Sequence, residues 1–385
     1  MKKILVIHNR YQNIGGEDIA VENEIELLKE KFDVKVLFFD NHLGSIWNFL
    51  KLFFTSINKK SVKELDTVYA NFSPDIVYIH NTWFNASLGI FKYLENKNLK
   101  ILLKLHNFRY DCTKSFTAKK HLQNKNICEA CGFKKKKFQY FNKYFKESYL
   151  KSIFVFLYGR KYIRIIFESS FHIAVLTNFH RNRLIKLGLE ENRVTVIPNY
   201  IYPKNSFASK SSSIDLVYAG RISEEKGVEE LVKEFIRLDI KGTILHIIGT
   251  GPLLNQLIKK YNKDNVYFHG QLTSNETNKI MCNAAGIITA TKLLEGQPTL
   301  LFEAALQKVP AIFPKTGGLN EFFPNNYQLS FNQFQYDDLG KKIKLLCLNL
   351  ENSKKIGIQN YDFIEKNYSK EKIMNQFYKV FDLKI

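Results

Sequence analysis

The chain has 385 residues, of which 45% are hydrophobic and 24% charged; these proportions are typical of a folded globular protein and argue against general disorder. Its formal net charge of +20 at pH 7 is unevenly distributed, because residues 1–200 hold 33 Lys and Arg against 18 Asp and Glu. No apolar run approaches the roughly 18–20 residues that span a membrane, and five thinly spread cysteines indicate a reducing compartment rather than a disulfide framework.

The positive charge is densest in residues 101–164, which contain 16 basic residues against 3 acidic ones. A basic face suits an anionic partner, such as a phosphate-bearing substrate, an acidic lipid or a nucleic acid. The alternative is a lysine-rich composition that affects every surface equally.

Short β-branched runs alternate with helical patterns along the first half, which predicts parallel α/β units. The N-terminal apolar run is too short for a signal peptide and is typical of a first strand. Between the first two strands, Val21, Ile25 and Leu28 recur at helical spacing, so a helix should pack one face on the sheet. The predicted strands of this half are Ile4–Ile7, Val34–Phe39, Ile76–Ile79, Ile101–Leu105, Ile173–Leu176 and Val194–Ile197.

The same pattern restarts after a proline- and serine-rich stretch at residues 200–213, which we interpret as a linker. The sequence therefore predicts an α/β protein with two tandem doubly wound domains, 1–199 and 214–368, and a ligand cleft between them. The predicted strands of the second half are Leu216–Ala219, Ile244–Ile248, Val266–Phe268, Gly286–Thr289 and Val309–Phe313.

The last segment, residues 369–385, has an amphipathic helical pattern with Ile373, Phe377 and Phe381 on one face. Exposure of these side chains would be costly, so we expect the helix to dock back toward the first domain.

Glycines near the carboxyl ends of predicted strands are candidates for phosphate contacts, because ligands bind at that edge of doubly wound sheets. Gly15 and Gly16 stand just before a predicted helix, whose N-terminus favours an anion; a tight turn would explain the pair about as well. Gly249 and Gly251 follow another strand, in HIIGTGPLL, where they indicate a turn beneath a ligand's base.

The segment AGRISEEKG follows the first strand of the second domain and contains Gly220, Arg221 and Lys226. Two cations five residues apart across a turn can grip a pyrophosphate from two sides. A solvated loop with ordinary charges is the alternative.

The segment LLEGQPTLLFEA, residues 293–304, places two carboxylates around a predicted helix start. Pro298 suits the first helical turn, where its missing N–H is no loss, so Gly296 and Gln297 would lie just ahead of the helix. Carboxylates accept hydrogen bonds from hydroxyls, so Glu295 and Glu303 suit a sugar or a ribose. Phosphate-binding cations and hydroxyl-binding acids together predict a nucleotide-sugar ligand.

Taken together, these motifs resemble those of the family-4 retaining glycosyltransferases of the GT-B fold, particularly of their cell-envelope polysaccharide branch. The motifs AGRISEEKG, IIGTGP, EGQPTLLFEA and TGGLNEF resemble that family's donor domain. The stretches YQNIGGED, LKLHNFRYDC and VLTNFHRNRLIKLGLEENRVTVIPN resemble its acceptor domain.

The resemblance implies a role for each matched residue. Arg221 and Lys226 would hold the diphosphate and neutralise the leaving group, and His106 would face the reacting sugar. Glu295 would contact the sugar hydroxyls and Glu303 the ribose. The remaining donor-binding candidates are Gly15, Gly16, Gly220, Gly249, Gly251, Gly296, Gln297, Pro298 and Thr299. Many relatives carry a phenylalanine where this chain has Gln297, which leaves the polarity of the sugar pocket open.

The sequence contains no D-x-D pair, by which many other glycosyltransferases bind a metal. Its absence fits leaving-group stabilisation by the two cations, so we expect metal-independent transfer with no cofactor beyond the donor. For retention, the resemblance implies front-face attack assisted by the leaving phosphate.

Two further features have alternative interpretations. Cys112, Cys128 and Cys131 have spacing that could hold zinc, although free thiols in a loop are favoured because a fourth ligand is missing unless His106 or His121 supplies it. The segment 134–167 interleaves bases with aromatics, which suits either a helix lying on anionic lipid or ordinary packing on the sheet. His80, at a strand end, is interpreted as a wall residue rather than a base.

The sequence therefore predicts a cytoplasmic enzyme, peripheral to the inner face of the membrane, that transfers a sugar from a UDP- or GDP-sugar to a lipid-linked or oligosaccharide acceptor. The expected partners are the nucleotide-sugar, that acceptor and an anionic membrane surface. A nucleotide-sugar epimerase is one alternative. A basic nucleic-acid-binding protein is another, but it leaves the paired acids unexplained, and nucleic acid is not an expected partner.

Overall fold

The computed structural model describes residues 1–10, 15–40, 52–108, 148–204, 214–261 and 263–382. The chain forms two compact units: the first comprises Met1–Tyr200 and Lys370–Ile385, and the second comprises Ile201–Ser369. Within the described residues, no helix is both long and apolar enough to cross a membrane.

The first unit is built on a parallel six-stranded sheet of order β2-β1-β3-β4-β5-β6. Its strands are β1 (Lys3–Arg10), β2 (Asp33–Asp40), β3 (Ile76–Ile79), β4 (Lys100–Leu105), β5 (His172–Val175) and β6 (Val194–Val196). Its helices are α1 (Gly16–Lys29), α2 (Lys59–Phe72), α3 (Gly89–Glu95), α4 (Tyr149–Glu168), α5 (Asn178–Leu187) and α12 (Lys370–Val380).

Helix α1 packs on this sheet as its periodicity indicates, with Val21, Ile25 and Leu28 all buried. The C-terminal helix α12 lies against the same core and buries Ile373 and Phe377. Phe381 is buried as well and meets Phe32 edge-on at 5.9 Å between ring centroids. The amphipathic face of this helix is therefore covered by the first unit.

The second unit repeats the architecture with a parallel six-stranded sheet of order β12-β11-β10-β7-β8-β9. Its strands are β7 (Ile214–Ala219), β8 (Thr243–Ile248), β9 (Val266–Gly270), β10 (Gly286–Ile288), β11 (Ala311–Lys315) and β12 (Ser330–Asn332). Its helices are α6 (Val228–Leu238), α7 (Leu254–Lys260), α8 (Ser274–Cys282), α9 (Thr299–Leu306), α10 (Tyr336–Leu348) and α11 (Leu350–Tyr368).

The eleven predicted strands all occur, within a few residues of their predicted ends. The structure adds β12, a three-residue edge strand that pairs with β11. The core lies on both faces of each sheet, as expected when helices cover a parallel sheet on both sides.

Candidate active site

The strand order of the second unit reverses between β7 and β10, which are neighbours although β8, β9 and three helices lie between them in the chain. The carboxyl ends of strands at such a switch point form the ligand-binding crevice of doubly wound sheets. The loop after β7 carries Arg221 and Lys226, and the loop after β10 carries Glu295. The fold therefore brings these two segments to one crevice.

Lys226 and Glu295 meet there as an ion pair. Lys226 Nζ lies 2.8 Å from Glu295 Oε1, and the side chains are 30% and 17% exposed. The hydroxyl of Thr291 donates to the same carboxylate oxygen at 2.9 Å. Glu295 is thus fixed in position through Oε1, and its side chain remains partly exposed.

The backbone of the Glu295 loop is held by the segment TGGLNEF. The amide of Gly318 donates to the Glu295 carbonyl at 2.9 Å, and the Thr316 hydroxyl donates to the Leu293 carbonyl at 3.0 Å. Gly317 has φ +57°, and a Cβ there would lie 2.0 Å from the Glu295 carbonyl oxygen. A glycine is therefore required for this loop to reach its position.

The predicted turn glycines Gly249 and Gly251 allow close approach of two backbone segments. Gly249 has φ +126°, and a Cβ there would lie 2.0 Å from the carbonyl oxygen of Gly220. A Cβ on Gly251 would lie 2.2 Å from the Ile222 carbonyl oxygen. These contacts press the β8 turn against the AGRISEEKG loop, which accounts for both glycines without a ligand.

Helix α9 begins at Thr299, and Pro298 is its N-cap residue with φ −67° and ψ 120°. The prediction that Pro298 occupies the first helical turn is therefore wrong by one residue, since its ψ is extended rather than helical. Gly296 and Gln297 lie just ahead of the helix, as expected, and both are buried. Glu303 lies four residues after the helix start, about one turn inside rather than one and a half.

Glu303 has a partner that the sequence did not indicate. Lys204 Nζ lies 2.8 Å from Glu303 Oε1 and also donates to the Ser274 hydroxyl at 3.1 Å. Lys204 falls in the stretch that we interpreted as a linker, where no motif marks it. Glu303 is only 11% exposed, so the lysine defines much of its surroundings.

Arg221 is exposed, and within the described part of the chain its guanidinium has no hydrogen-bond or ion-pair partner. The loop that carries it is fixed, because the Tyr218 hydroxyl donates to the Arg221 carbonyl at 2.8 Å. An anchored backbone with an unpaired guanidinium is suited to bind an anion in a bidentate manner.

In the first unit, Gly15 is the N-cap of α1. Its amide donates to Asp18 Oδ2 at 2.8 Å, and the other oxygen of Asp18 lies 2.9 Å from His8 Nε2. The Gly15 amide is therefore engaged within the protein, and of the glycine pair it is Gly16, the first residue of the helix, that stays a predicted phosphate contact.

His106 follows β4 directly and is half-buried. Its Nε2 lies 2.9 Å from Nδ1 of His80, which follows β3 and is fully buried. Burial holds the pKa of His80 well below its usual range, and the neighbouring His106 adds to this effect. Burial likewise lowers the pKa of His106 strongly, with Lys104 contributing. Both rings are therefore neutral near pH 7.

A buried ion pair lies beneath these histidines. Lys104 on β4 donates to Glu24 on α1, and the Tyr78 hydroxyl donates to the other carboxylate oxygen of Glu24 at 2.8 Å. Burial raises the pKa of Glu24 while Lys104 opposes the rise, and burial lowers the pKa of Lys104 while Glu24 opposes the fall. Neither charge was predicted to be in the core, although Glu24 shares the helical face of Val21 and Leu28.

A small pocket opens beside His106 in the first unit, with a volume of about 10 Å³, enough for one water molecule. The residues that line it are Glu17, His80, Asn81, Trp83, Lys104, Leu105, His106, Asn107 and Tyr162. His80 is therefore a wall residue, but one bonded to a second histidine.

The three clustered cysteines, Cys112, Cys128 and Cys131, lie outside the described residues. Within the described residues, no group of three or more His, Cys, Asp and Glu side chains could hold a metal ion.

Of the basic and aromatic segment 134–167, helix α4 is described. Its buried face, which includes Phe154, Tyr158 and Ile163, packs in the first unit. Leu150, Ile153 and Leu157 are 55%, 39% and 40% exposed. The packing interpretation is thus confirmed for the buried face of α4, and contact with anionic lipid stays a prediction for the exposed face.

Comparison with known families finds a match in the second unit. Residues 203–363 match the sequence profile of the family described as Glycosyl transferases group 1. The match covers most of Ile201–Ser369 and includes Arg221, Lys226 and Glu295. The second unit is therefore similar to this family along most of its length.

Three curated proteins are similar in sequence. An uncharacterized glycosyltransferase of Methanocaldococcus jannaschii is 24% identical over 255 residues, 61% of this chain and 64% of that protein. An uncharacterized 41.2 kDa protein in the cps region of Klebsiella pneumoniae is 19% identical over 324 residues, 80% of this chain and 78% of that protein. TuaC of Bacillus subtilis, a putative teichuronic acid biosynthesis glycosyltransferase, is 28% identical over 113 residues, 29% of this chain and 28% of that protein. The matched stretches thus span less than two thirds of the first and third of these relatives.

Solved structures show the same fold. Sucrose-phosphate synthase of Thermosynechococcus elongatus superposes with a TM-score of 0.72 at 16% identity, covering 98% of each chain. HepE of Anabaena, solved with UDP and glucose, gives 0.68 at 13% identity, covering 99% of this chain and 100% of that one. A TarM variant of S. aureus, solved with fondaparinux, alpha-GlcNAc-glycerol and UDP, gives 0.58 at 17%, covering 80% of this chain and 55% of that one. The predicted α/β GT-B fold class is confirmed.

Proposed function

We propose that the protein is a retaining glycosyltransferase that moves a sugar from a nucleotide-sugar, a UDP- or GDP-sugar, to an oligosaccharide or lipid-linked acceptor. The observation that carries the proposal is the 2.8 Å pair of Lys226 and Glu295 at the switch point of the second unit. A cation that suits a diphosphate is held beside an acceptor-only group that suits sugar hydroxyls. The match to the group 1 family covers this segment.

The proposed reaction breaks the bond between the sugar's anomeric carbon and the diphosphate. Negative charge grows on the leaving oxygen as this bond lengthens, so Arg221 and Lys226 bind the transition state more strongly than the ground state. Arg221 supplies an anchored, unpaired guanidinium for the task. Two fixed cations can neutralise the diphosphate themselves, so we propose that transfer requires neither a metal ion nor a cofactor.

The remaining contacts to the donor are assigned by chemistry. Glu295 accepts hydrogen bonds from hydroxyls of the transferred sugar, and Glu303 accepts those of the ribose. Glu303 now accepts from Lys204, so the ribose would share or replace that bond. His106 and Gly16 of the first unit are proposed to contact the sugar and the phosphates.

We further propose that the acceptor belongs to a cell-surface polysaccharide and is reached at a membrane. The relatives from a cps region and from teichuronic acid synthesis support this pathway class. An exposed stripe on α4, formed by Leu150, Ile153 and Leu157, supports membrane contact. The helix continues with the exposed Arg164, which suits an anionic headgroup.

Thermal unfolding with a panel of nucleotides tests the proposal. A ligand that binds only the folded protein raises the midpoint, by an amount that depends on its concentration relative to Kd. We expect one nucleoside diphosphate and its sugar conjugates to raise the midpoint, and the Glu303→Ala variant to reduce that shift. Equal midpoints with UDP, GDP, ADP and their sugars would contradict the proposal.

A further inference from the structure

Three neighbouring strands of the first unit each deliver a histidine to the same edge of the sheet. His8 lies near the end of β1, His80 directly after β3 and His106 directly after β4. The structure joins the last two by a hydrogen bond of 2.9 Å from ring to ring. A bond between two neutral imidazoles needs one ring to donate and the other to accept, so it links their tautomers.

The direction of this bond is set by the buried acid beneath it. His80 Nε2 lies 3.9 Å from Glu24 Oε2, and both side chains are fully buried. Glu24 is paired with Lys104 and accepts from Tyr78, so its carboxylate carries negative charge toward the ring. A carboxylate favours a proton over a lone pair on the nitrogen that faces it, which places the His80 proton on Nε2.

The remaining protons follow from this assignment. With its proton on Nε2, His80 has a lone pair on Nδ1 and accepts from His106 Nε2–H. His106 then has a bare lone pair on Nδ1. Within the described residues His106 makes no other side-chain hydrogen bond, and its ring lines the pocket of the first unit.

We propose that His80 is a positioning residue, which through its bond to His106 fixes the tautomer that presents a hydrogen-bond acceptor to the transferred sugar. The inference rests on the proposed function, since it gives His106 a sugar hydroxyl as its partner. The new element is the direction of this hydrogen bond: the sugar hydroxyl donates, and His106 Nδ1 accepts. Without His80, the proton of His106 is free to occupy either nitrogen, and the acceptor is present for only part of the time.

The neighbouring groups that shift the pKa of the two rings favour their neutral forms. Burial is the largest cause of the lowered pKa of both rings; Lys104 from β4 and His8 from β1 add to it for both, and His106 adds to it for His80. His180 from α5 adds to the effect on His106, and Glu24 from α1 is satisfied by Lys104 and Tyr78. Tautomer, rather than protonation, is therefore what His80 controls near pH 7.

Two variants of His80 distinguish loss of the hydrogen bond to His106 from loss of the imidazole ring itself. His80→Asn keeps an acceptor, because its amide oxygen occupies about the place of Nδ1, while His80→Leu removes it. We expect donor kcat/KM to fall roughly 10-fold or more in His80→Leu and to stay within about threefold of wild type in His80→Asn. Equal losses in both variants, or wild-type activity in His80→Leu, would overturn the proposal.

Nitrogen-15 NMR of histidine-labelled protein reads the tautomer without any substrate. The wild type and His80→Asn should show His106 with Nε2 protonated and Nδ1 bare, and His80→Leu should show a mixture of tautomers. A mixture in the wild type would overturn the inference. If the tautomer is fixed but no nucleotide-sugar is turned over, the proposed function fails while the assignment of His80 stands.

Thermal unfolding of both variants, followed by tryptophan fluorescence, provides the folding control. Trp83 is buried in the first unit, and the sequence of residues 201–369 contains no tryptophan. If His80→Leu does not fold, His80→Asn is compared with His80→Gln instead. The amide of Gln is displaced by one methylene, so His80→Gln loses the hydrogen bond to His106. Retained activity in His80→Gln but not in His80→Asn would contradict the proposal.

Discussion

Lys226 Nζ and Glu295 Oε1 lie 2.8 Å apart, which joins the loop after β7 to the loop after β10 at the switch point of the second sheet. Each of these residues is proposed to hold a different part of one donor. Their pairing orients both side chains before a ligand arrives, so less side-chain entropy is lost on binding.

We expect Glu295→Ala to fold normally and to lower transfer by roughly 10²-fold, because the sugar loses an acceptor fixed by Lys226 and Thr291. Initial rates at saturating donor measure this effect. Glu365→Ala, an exposed acid of the same unit, is the matched control and should act like wild type. Wild-type turnover in Glu295→Ala would remove its proposed role.

Arg221→Ala and Lys226→Ala should each reduce kcat by more than they weaken binding of the nucleoside diphosphate. Their contact with the diphosphate strengthens as the leaving group gains charge. Steady-state rates compared with calorimetric Kd values test this, with the exposed Lys241→Ala as control. Activity that survives both substitutions and requires added Mg²⁺ would contradict the assignment.

Gly317→Ala should destabilise the second unit by at least about 3 kcal/mol and impair transfer, because its Cβ would meet the Glu295 carbonyl oxygen at 2.0 Å. Gly242→Ala is the matched control. Gly242 has φ +73° and open space around it. Alanine there should therefore lower the free energy of unfolding only by the cost of a left-handed backbone conformation, about 1–2 kcal/mol. Urea unfolding followed by circular dichroism distinguishes the two, and equal losses would show that the Glu295 contact is unimportant.

The stability of the first unit should fall as the pH is lowered from 7.5 to 5.5. Burial lowers the pKa of His180 to about 3 and holds those of His80 and His106 well below their usual range. The unfolded chain therefore takes up protons below about pH 6.5 that the folded unit refuses. Each buried histidine therefore contributes to the stability of the folded unit above about pH 6.5. This contribution is lost as the pH falls further, by up to about 1.4 kcal/mol per pH unit for each histidine.

Urea unfolding followed by tryptophan fluorescence measures this slope, and His180→Leu should make it shallower. Burial raises the pKa of Glu24 and opposes the trend at the acid end, so the comparison with His180→Leu isolates the histidine. A stability that is constant or rises over this pH range would contradict the prediction.

The exposed stripe of α4 should bind anionic membranes reversibly. Each engaged Lys or Arg contributes about 1 kcal/mol, and salt should weaken the contact since charges act within a Debye length of about 8–10 Å. We expect Ile153→Asp to reduce co-sedimentation with anionic liposomes, and Leu348→Asp to leave it unchanged. Leu348 is 75% exposed but lies in the second unit. Equal recovery in the supernatant with neutral and anionic liposomes at low salt would exclude this surface.

Alternation of β-branched runs and helical patterns was sufficient to predict eleven strands, because strands of a parallel sheet covered on both faces are rich in apolar residues. The exception, β12, is a three-residue edge strand whose sequence SFN carries no such pattern. Pro298 was misplaced by one residue because a proline suits both the N-cap and the first turn, and only ψ distinguishes them.

Site residues that belong to sequence motifs were predictable. Site residues whose role depends only on tertiary contacts were not. Lys226 and Glu295 were chosen from separate motifs, and the fold explains their contact through the neighbouring strands β7 and β10. Lys204 belongs to no motif, and its partner Glu303 lies 99 residues away in the sequence, so only the folded chain brings them together. Lys104 had a usable signal, namely a charge inside the apolar strand KILLKL.

The most direct test of the proposed transfer is mass spectrometry of the products formed from the nucleotide-sugar that stabilises the protein, with an oligosaccharide acceptor and a metal chelator present. We predict a free nucleoside diphosphate and an acceptor enlarged by one sugar, joined in the anomeric configuration of the donor. An epimerised nucleotide-sugar, an inverted linkage, or product that forms only without the chelator would contradict this account.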